Sequence, residues 1–167
     1  TENQAGVNPH ENMGCKESAR IIIGHVTEGV KLAEKANLPK SMKDFILTHH
    51  GLGVTKFFYV KYKNDHPDED VDISQFTYPG PNPSSREEAI LMMADTIEAA
   101  SRSLTTYTEE SISELVEKLI DQQVSEGFFK NCPITFRDIA DAKQVAIDRL
   151  KSIYHTRIQY PELKKDG

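Results

Sequence analysis

Apolar side chains recur at steps of three and four residues along most of the chain, which is the period of one face of an α-helix. The first such stretch predicts a helix over residues 16–36, and Asn37 and Pro39 mark its end. The next stretch predicts a helix over residues 39–50, where a proline suits the first turn and Gly51 suits the C-terminal cap. We therefore expect two consecutive helices in the first third of the chain.

Three further amphipathic stretches follow in the second half of the chain. They predict helices over residues 86–104, 109–126 and 136–157. A hydroxyl residue precedes each of them, namely Ser85, Thr108 and Thr135. Its side-chain oxygen can accept a hydrogen bond from a backbone N–H group in the first helical turn. This part of the chain is therefore expected to be helical throughout.

Residues 54–63 fit either a strand or a helix. Their aromatic and β-branched side chains favour a strand, but the helical surroundings favour a helix, and we predict a helix. With this choice every predicted element is helical, so the predicted fold class is all-α. The length of 167 residues fits one domain over residues 1–167.

An acidic, proline-rich connection covers residues 64–83. A solvated surface loop is one interpretation of this segment. A functional lid is the other, because about 20 residues exceed the usual length of a loop. The aromatic residues near its end, Phe76 and Tyr78, either approach a binding pocket or pin the loop to the helix that Ser85 opens.

The net charge of −6 at pH 7 argues against polymeric nucleic acid as a partner, because binding a polyanion needs a basic surface. The charge does not exclude a small phosphate substrate, since a metal ion supplies positive charge locally. Cys15 and Cys132 lack metal-type spacing and are expected to be reduced thiols. The chain contains no glycine-rich phosphate loop, GxSxG or HExxH motif, so nothing indicates a nucleotide cofactor.

Four polar residues stand out on otherwise apolar helical stretches: His25, His49, His50 and Asp95. Each alone has a structural explanation, such as a hydrogen-bonded core histidine, a polar helix end, or an ion pair between Asp95 and Arg102. Together, three imidazoles and a carboxylate suit Fe, Mn or Zn. Adjacent helical residues point about 100° apart, so His49 and His50 are better placed to serve two neighbouring ions than to chelate one. A two-metal site of this kind acts on phosphate esters.

The residues around these positions resemble a known family. The longest segments that carry the resemblance are SARIIIGHV at 18–26, HHG at 49–51, YPGP at 78–81, ADTIEAA at 94–100 and YHTRI at 154–158. Shorter ones are residues 2–4, 8–10, 44–45, 57–59, 102–103 and 160–162. The chain resembles the PgpH-type, seven-transmembrane HD phosphohydrolases of bacteria, which hydrolyse cyclic di-AMP. The similarity extends over essentially the whole chain.

The resemblance implies a set of metal ligands. HD domains of this family bind two metal ions through the pattern His, His-Asp, His, His-His, Asp, with Fe or Mn favoured and Zn as an alternative. His25 resembles the single His, His49 and His50 resemble the His-His pair, and Asp95 resembles the final Asp. The first His and the His-Asp dyad have no counterpart in these 167 residues. The resemblance therefore implies that this chain alone is inactive and binds metal weakly or not at all.

The resemblance also implies a substrate and a location. Cyclic di-AMP is the expected substrate, with Tyr78 and Arg102 lining its pocket, although Arg102 fits a structural role equally well. His155 and Arg157 are expected to anchor the last helix. The chain opens without an initiator methionine, and we expect it to be the C-terminal part of the cytoplasmic HD domain of a bacterial inner-membrane protein, attached through segments outside these residues. Without the helices that carry the dyad, a core face of the domain is expected to be exposed, and a homodimer that covers it is the expected assembly.

Two alternatives stay open from the sequence. One is a degenerate HD domain that acts as a nucleotide-binding regulatory module, and the other is an HD phosphohydrolase that acts on a different nucleotide. The residues that precede Thr1 distinguish catalysis from sensing, because an intact His-Asp dyad supports catalysis and a substituted dyad supports sensing. The sequence leaves the metal, the base of the nucleotide and the oligomeric state undetermined.

Overall fold

Six α-helices and one short 3-10 helix make up the secondary structure of residues 13–155, the part of the chain that this computed structural model describes. The α-helices are α1 (Cys15–Lys35), α2 (Lys40–Thr48), α3 (Lys56–Asp65), α4 (Arg86–Ser101), α5 (Glu109–Ser125) and α6 (Phe136–His155). The 3-10 helix spans Ile73–Phe76. Within residues 13–155 no β-strand occurs, apart from an isolated bridge between Val54 and Thr77. The all-α prediction is confirmed.

The chain divides into two compact units, Thr1–Ser84 and Ser85–Gly167. The first contains α1 to α3 and the second contains α4 to α6. The prediction of one HD-type domain over residues 1–167 stays a prediction. Among the described residues, no helix is long and apolar enough to cross a membrane.

A close helical hairpin forms the start of the first unit. Asn37, which follows the C-cap residue Ala36 of α1, adopts a positive φ of 52°, a conformation that asparagine tolerates and that ends helices. Farther along the hairpin, Gly29 of α1 faces Ile46 of α2. A Cβ atom at Gly29 would lie 2.9 Å from the Ile46 Cγ2 atom, so only glycine admits this approach without a shift. The contact brings the C-terminal end of α2 alongside the preceding turn of α1.

Residues 54–63, which the sequence leaves ambiguous between strand and helix, are helical from Lys56 onward. The helix does not include Val54, because Val54 forms a β-bridge with Thr77 of the acidic connection. Phe76, in the 3-10 helix of that connection, is fully buried against Ala19 and Phe58. The ring of Phe76 therefore pins the connection to α1 and α3, whereas one of the two sequence interpretations names the helix opened by Ser85.

Asp68, Glu69 and Asp70, in the first half of the same connection, are exposed. The charged half therefore stays in solvent, while the aromatic half belongs to the core of the first unit.

The second unit is a three-helix arrangement around an apolar core. The core is built from Ala89, Met92, Met93, Ile97, Ile112, Val116, Ile120, Phe129, Ile147 and Leu150. The predicted caps are present: Ser85 Oγ accepts from Glu88 N at 3.2 Å, and Thr108 Oγ1 accepts from Ser111 N at 3.2 Å. Thr135 Oγ1 accepts from Asp138 N at 3.1 Å. These local hydrogen bonds fix where the three helices begin.

Helix ends differ from the predictions by a few residues. The prediction that α2 reaches residue 50 is wrong, because α2 ends at Thr48. Likewise α4 ends at Ser101 rather than near residue 104. The predicted anchoring role of Arg157 and of the His155 side chain lies outside the described residues, as do the resembling segments at residues 2–4, 8–10 and 160–162.

Candidate metal centre

Three imidazoles of the first unit meet where α1 passes the end of α2. His25 lies on α1, His49 directly follows α2, and His50 begins the next turn. One ring nitrogen from each of the three lies within 4.8 Å of the others. Among the described residues, these three histidines form the group of His, Cys, Asp or Glu side chains whose ligand atoms lie close enough together to hold one metal ion.

The helical hairpin explains why His25 and His49 meet. His25 precedes Gly29 by one turn of α1, and His49 follows Ile46 by three residues, so each lies on the same face as the Gly29–Ile46 contact. The helices run in opposite directions, so stepping back along α1 corresponds to stepping forward along α2. The tight approach at Gly29 therefore places the two imidazoles opposite each other.

Hydrogen bonds define the tautomers of His25 and His49. The Nδ1 atom of His25 lies 2.5 Å from the Ile22 carbonyl oxygen, and the Nδ1 atom of His49 lies 2.7 Å from the Ile46 carbonyl oxygen. Because a carbonyl oxygen only accepts, each Nδ1 atom carries the proton and donates it. The Nε2 atom of each neutral ring is then an acceptor with an available lone pair.

The two Nε2 atoms, of His25 and His49, lie 3.1 Å apart. Two lone pairs that face each other at this distance repel unless a proton or a cation lies between them. Two nitrogen ligands of one metal ion, each at about 2.1 Å, are themselves separated by roughly 3 to 3.5 Å. The fixed Nδ1 donors and the facing Nε2 atoms thus have the arrangement of histidine ligands oriented by carbonyl groups.

His50 differs from its neighbours in its surroundings. Burial is the main cause that lowers the pKa of His50 to about 3, and electrostatic repulsion from the imidazoles of His49 and His25 when they carry a proton lowers it further. The ring of Tyr78 stacks on this imidazole with a centroid distance of 4.3 Å and an interplanar angle of 23°. His50 therefore stays neutral at physiological pH, which is the form that binds a metal.

Two premises of the sequence argument are wrong. His25 is exposed rather than core-facing. His49 and His50 do not both continue a helix, because α2 ends at Thr48 and Gly51, at a φ of 51°, turns the chain. The arrangement of the two rings is therefore set by this turn and not by the angle between successive helical residues. Binding of two ions stays a prediction.

The metal-free chain is expected to lose stability as the pH falls from 7 to 5. The folded state keeps His50 neutral down to about pH 3, whereas the unfolded state binds a proton at the ordinary pKa of 6.5. The contribution of His50 to the free energy of unfolding is therefore fully present above pH 6.5 and declines below it. The expected loss in the free energy of unfolding at pH 5 is about 2 kcal/mol.

Urea unfolding in the presence of a chelator measures this change. The His50→Gln variant should lack the loss, whereas His66→Gln should retain it, because His66 is exposed on α3's C-terminal side. An equal loss in wild type and His50→Gln would contradict the assignment to His50.

The predicted site residues Asp95 and Arg102 lie in the second unit, whereas the three histidines lie in the first. Asp95 is on α4 in the second unit and is partly exposed, and its place among the metal ligands stays a prediction. Arg102 directly follows α4 and is exposed. Its Nε and Nη2 atoms donate to Glu98 Oε1 at 3.0 and 2.5 Å, a pair that fits the structural role considered for Arg102.

Sequence reasoning missed two residues that shape the site. Gly29 sets the approach of α1 to α2, and its signal was a glycine within an apolar helical stretch. Asn82 accepts a hydrogen bond at Oδ1 from Leu52 N at 2.8 Å, and so holds the turn that follows the His pair. No sequence signal identifies Asn82, because its partner is 30 residues away.

Comparison with known proteins identifies the family to which the chain belongs. No family model matches the chain. Over 165 residues the chain is 38% identical to the cyclic-di-AMP phosphodiesterase PgpH of Bacillus subtilis, covering 98% of this chain and 23% of that protein. The PgpH of Listeria monocytogenes is 37% identical over 164 residues, with the same coverage of 98% and 23%. The chain thus spans less than a quarter of the length of these curated relatives.

Solved structures decide the assignment. The crystal structure of the L. monocytogenes phosphodiesterase PgpH HD domain is 33% identical, with a TM-score of 0.83 over 91% of this chain and 70% of that one. The chain belongs to the PgpH HD-domain family. The same domain in complex with cyclic di-AMP gives a TM-score of 0.86 at 34% identity, with the same coverage. Membership of the PgpH family confirms the predicted family and the HD-like helical fold.

Proposed function

We propose that the protein containing this chain is a metal-dependent phosphodiesterase that opens cyclic di-AMP to the linear dinucleotide. The observation that carries the proposal is the pair of Nε2 atoms of His25 and His49, 3.1 Å apart, with both Nδ1 atoms engaged by carbonyl groups. The substrate comes from the relatives, which are cyclic-di-AMP phosphodiesterases, and from the matched HD domain in complex with cyclic di-AMP.

The metal ligands in this proposal are His25, His49, His50 and Asp95. Three neutral imidazoles and a carboxylate form a donor set that suits Fe or Mn, with Zn as the alternative. Divalent ions bound there supply positive charge to the phosphate oxygens and lower the pKa of water. The pattern of the family implies two ions.

The chain's own residues contribute orientation and charge. The carbonyl groups of Ile22 and Ile46 hold the rings of His25 and His49 in the ligating tautomer. The lowered pKa of His50 keeps a lone pair available at neutral pH. We include Tyr78 and Arg102 as candidate contacts of the nucleotide. Arg102 already pairs with Glu98 at the surface, so a phosphate would compete with that carboxylate.

The wider setting also belongs to the proposal. Catalysis requires the His-Asp dyad, which these 167 residues do not contain, so the chain alone is inactive. The domain lies on the cytoplasmic side of a bacterial membrane, attached through segments outside this chain, and a homodimer is its proposed assembly.

The test is hydrolysis by the full-length protein. Purified protein supplied with Mn²⁺ or Fe²⁺ should convert cyclic di-AMP to the linear dinucleotide, as followed by chromatography, and a chelator should stop the conversion. Tight binding of cyclic di-AMP by the metal-loaded protein without conversion would favour a regulatory module instead. Faster conversion of a different nucleotide would favour another HD phosphohydrolase.

A further inference from the structure

Tyr78 is largely buried and lies beside two of the three clustered imidazoles. Its side chain is only 9% exposed, and its ring lies face to face with the imidazole of His50. The ring of His25 meets the same tyrosine edge-on, with a centroid distance of 6.0 Å. One aromatic side chain thus contacts two of the three imidazoles, and the face that stacks on His50 is not available to a nucleotide base.

Residues 76–82, which we call the strap, hold Tyr78 in this position. At one end, the Phe76 carbonyl oxygen accepts from Thr55 N at 2.8 Å and from Thr55 Oγ1 at 3.0 Å. In the middle, Tyr78 N donates to the Gly53 carbonyl oxygen at 2.8 Å. These three hydrogen bonds join the strap to the stretch that directly follows the His pair.

The other end of the strap contacts the same stretch. Asn82 Oδ1 accepts from Leu52 N at 2.8 Å. Gly80 has a φ of 71°, and a Cβ atom there would lie 2.7 Å from the Leu52 Cδ2 atom. A side chain at Gly80 would therefore be strained and would push against Leu52. The strap therefore contacts the stretch after His50 at both ends and in the middle.

The rings of the three histidines have different neighbours. The rings of His25 and His49 donate from Nδ1 to carbonyl groups of their own helices. The ring of His50 lies beyond the end of α2 and is stacked on the face of Tyr78. We infer that Tyr78 is a positioning residue: its ring, held by the strap, sets the orientation in which His50 joins His25 and His49 around a metal ion. The inference rests on the metal site of the proposed function.

The metal affinity of the full-length protein, measured without nucleotide, tests this role. Groups that orient metal-ligating side chains typically change metal affinity by about 10- to 100-fold when removed. We expect Tyr78→Leu to weaken Mn²⁺ or Co²⁺ binding by about that factor, measured by titration and by the visible absorption of bound Co²⁺. Tyr78→Phe keeps the stacking ring and should bind these ions nearly as well as wild type.

The chain offers a matched control outside the site. Tyr62 stacks on His66 with a centroid distance of 4.2 Å and an angle of 17°, which is the same kind of contact. Tyr62 also borders Phe76 of the strap, at a centroid distance of 5.8 Å. Tyr62→Leu should leave metal affinity unchanged. An equal loss in Tyr62→Leu and Tyr78→Leu would indicate general loosening of the unit and would overturn the inference.

A second variant covers the case in which Tyr78→Leu does not fold. Asn82→Ala removes one anchor of the strap and leaves the ring in place, and it should weaken metal binding in the same direction but by a smaller factor. In that case, wild-type metal affinity in a folded Asn82→Ala would overturn the inference.

Nuclear magnetic resonance supplies a readout that needs no metal and no activity. The ring current of Tyr78 should shift the His50 ring protons of the metal-free chain upfield, and Tyr78→Leu should remove this shift. Unchanged His50 resonances would overturn the inference even if the wild-type chain bound no metal. A loss confined to the KM for cyclic di-AMP in the full-length protein, with unchanged metal affinity, would also overturn it, because nucleotide contact by Tyr78 would then be its whole role. Metal binding without hydrolysis would instead count against the proposed function alone.

Discussion

Replacement of His50 by glutamine in the full-length protein is expected to remove most of the bound metal and to lower the rate of cyclic di-AMP hydrolysis by about 100-fold or more. The reason lies in the donor set. Groups that only orient a ligand change metal affinity by about 10- to 100-fold, so the loss of a ligand should cost at least as much. A glutamine amide has no imidazole lone pair to replace the nitrogen of His50.

Metal content and rate should fall together in this variant. Elemental analysis of the purified protein and chromatography of the reaction products measure the two quantities on the same sample. His66→Gln is the matched control, because His66 is exposed and stacks on Tyr62 outside the three-histidine cluster. A His50→Gln protein with full metal content and a full rate would refute the ligand assignment.

The chain of 167 residues by itself is expected to hydrolyse cyclic di-AMP at less than about 1% of the rate of the full-length protein. In the proposed function, the pattern of the family has seven ligand residues, and this chain would supply four of them: His25, His49, His50 and Asp95. The other three are the first His and the two residues of the His-Asp dyad. Without these three, two ions would have too few ligands for stable binding.

Extension of the chain at its N-terminus, so that it includes the dyad, should restore the rate. The control is the same extended protein with the dyad aspartate replaced by asparagine, which should fold but remain inactive. Rapid, metal-dependent turnover by the 167-residue chain would show that the dyad is dispensable. An extended protein that binds cyclic di-AMP tightly without hydrolysing it would point to a regulatory module.

Much of the fold follows from local patterns. The steps of three and four residues located the helices, and the hydroxyl residues Ser85, Thr108 and Thr135 located three helix starts, each confirmed by a side-chain hydrogen bond. Both signals depend on residues within one helical turn of each other, so the sequence displays them directly. The end of α2 was harder to locate, because the turn at Gly51 is part of a larger contact with the strap.

The sequence alone determined that the chain is all-α, that it resembles the PgpH-type HD family, and which histidines to consider as ligands. The tertiary structure decided how these histidines meet. Gly29 lets α2 approach α1 closely enough for the Nε2 atoms of His25 and His49 to face each other at 3.1 Å. Tyr78 stacks on His50, which is 28 residues away in the sequence. Such contacts depend on the packing of distant segments, which has no periodic signature along the chain, and so only the folded molecule reveals them.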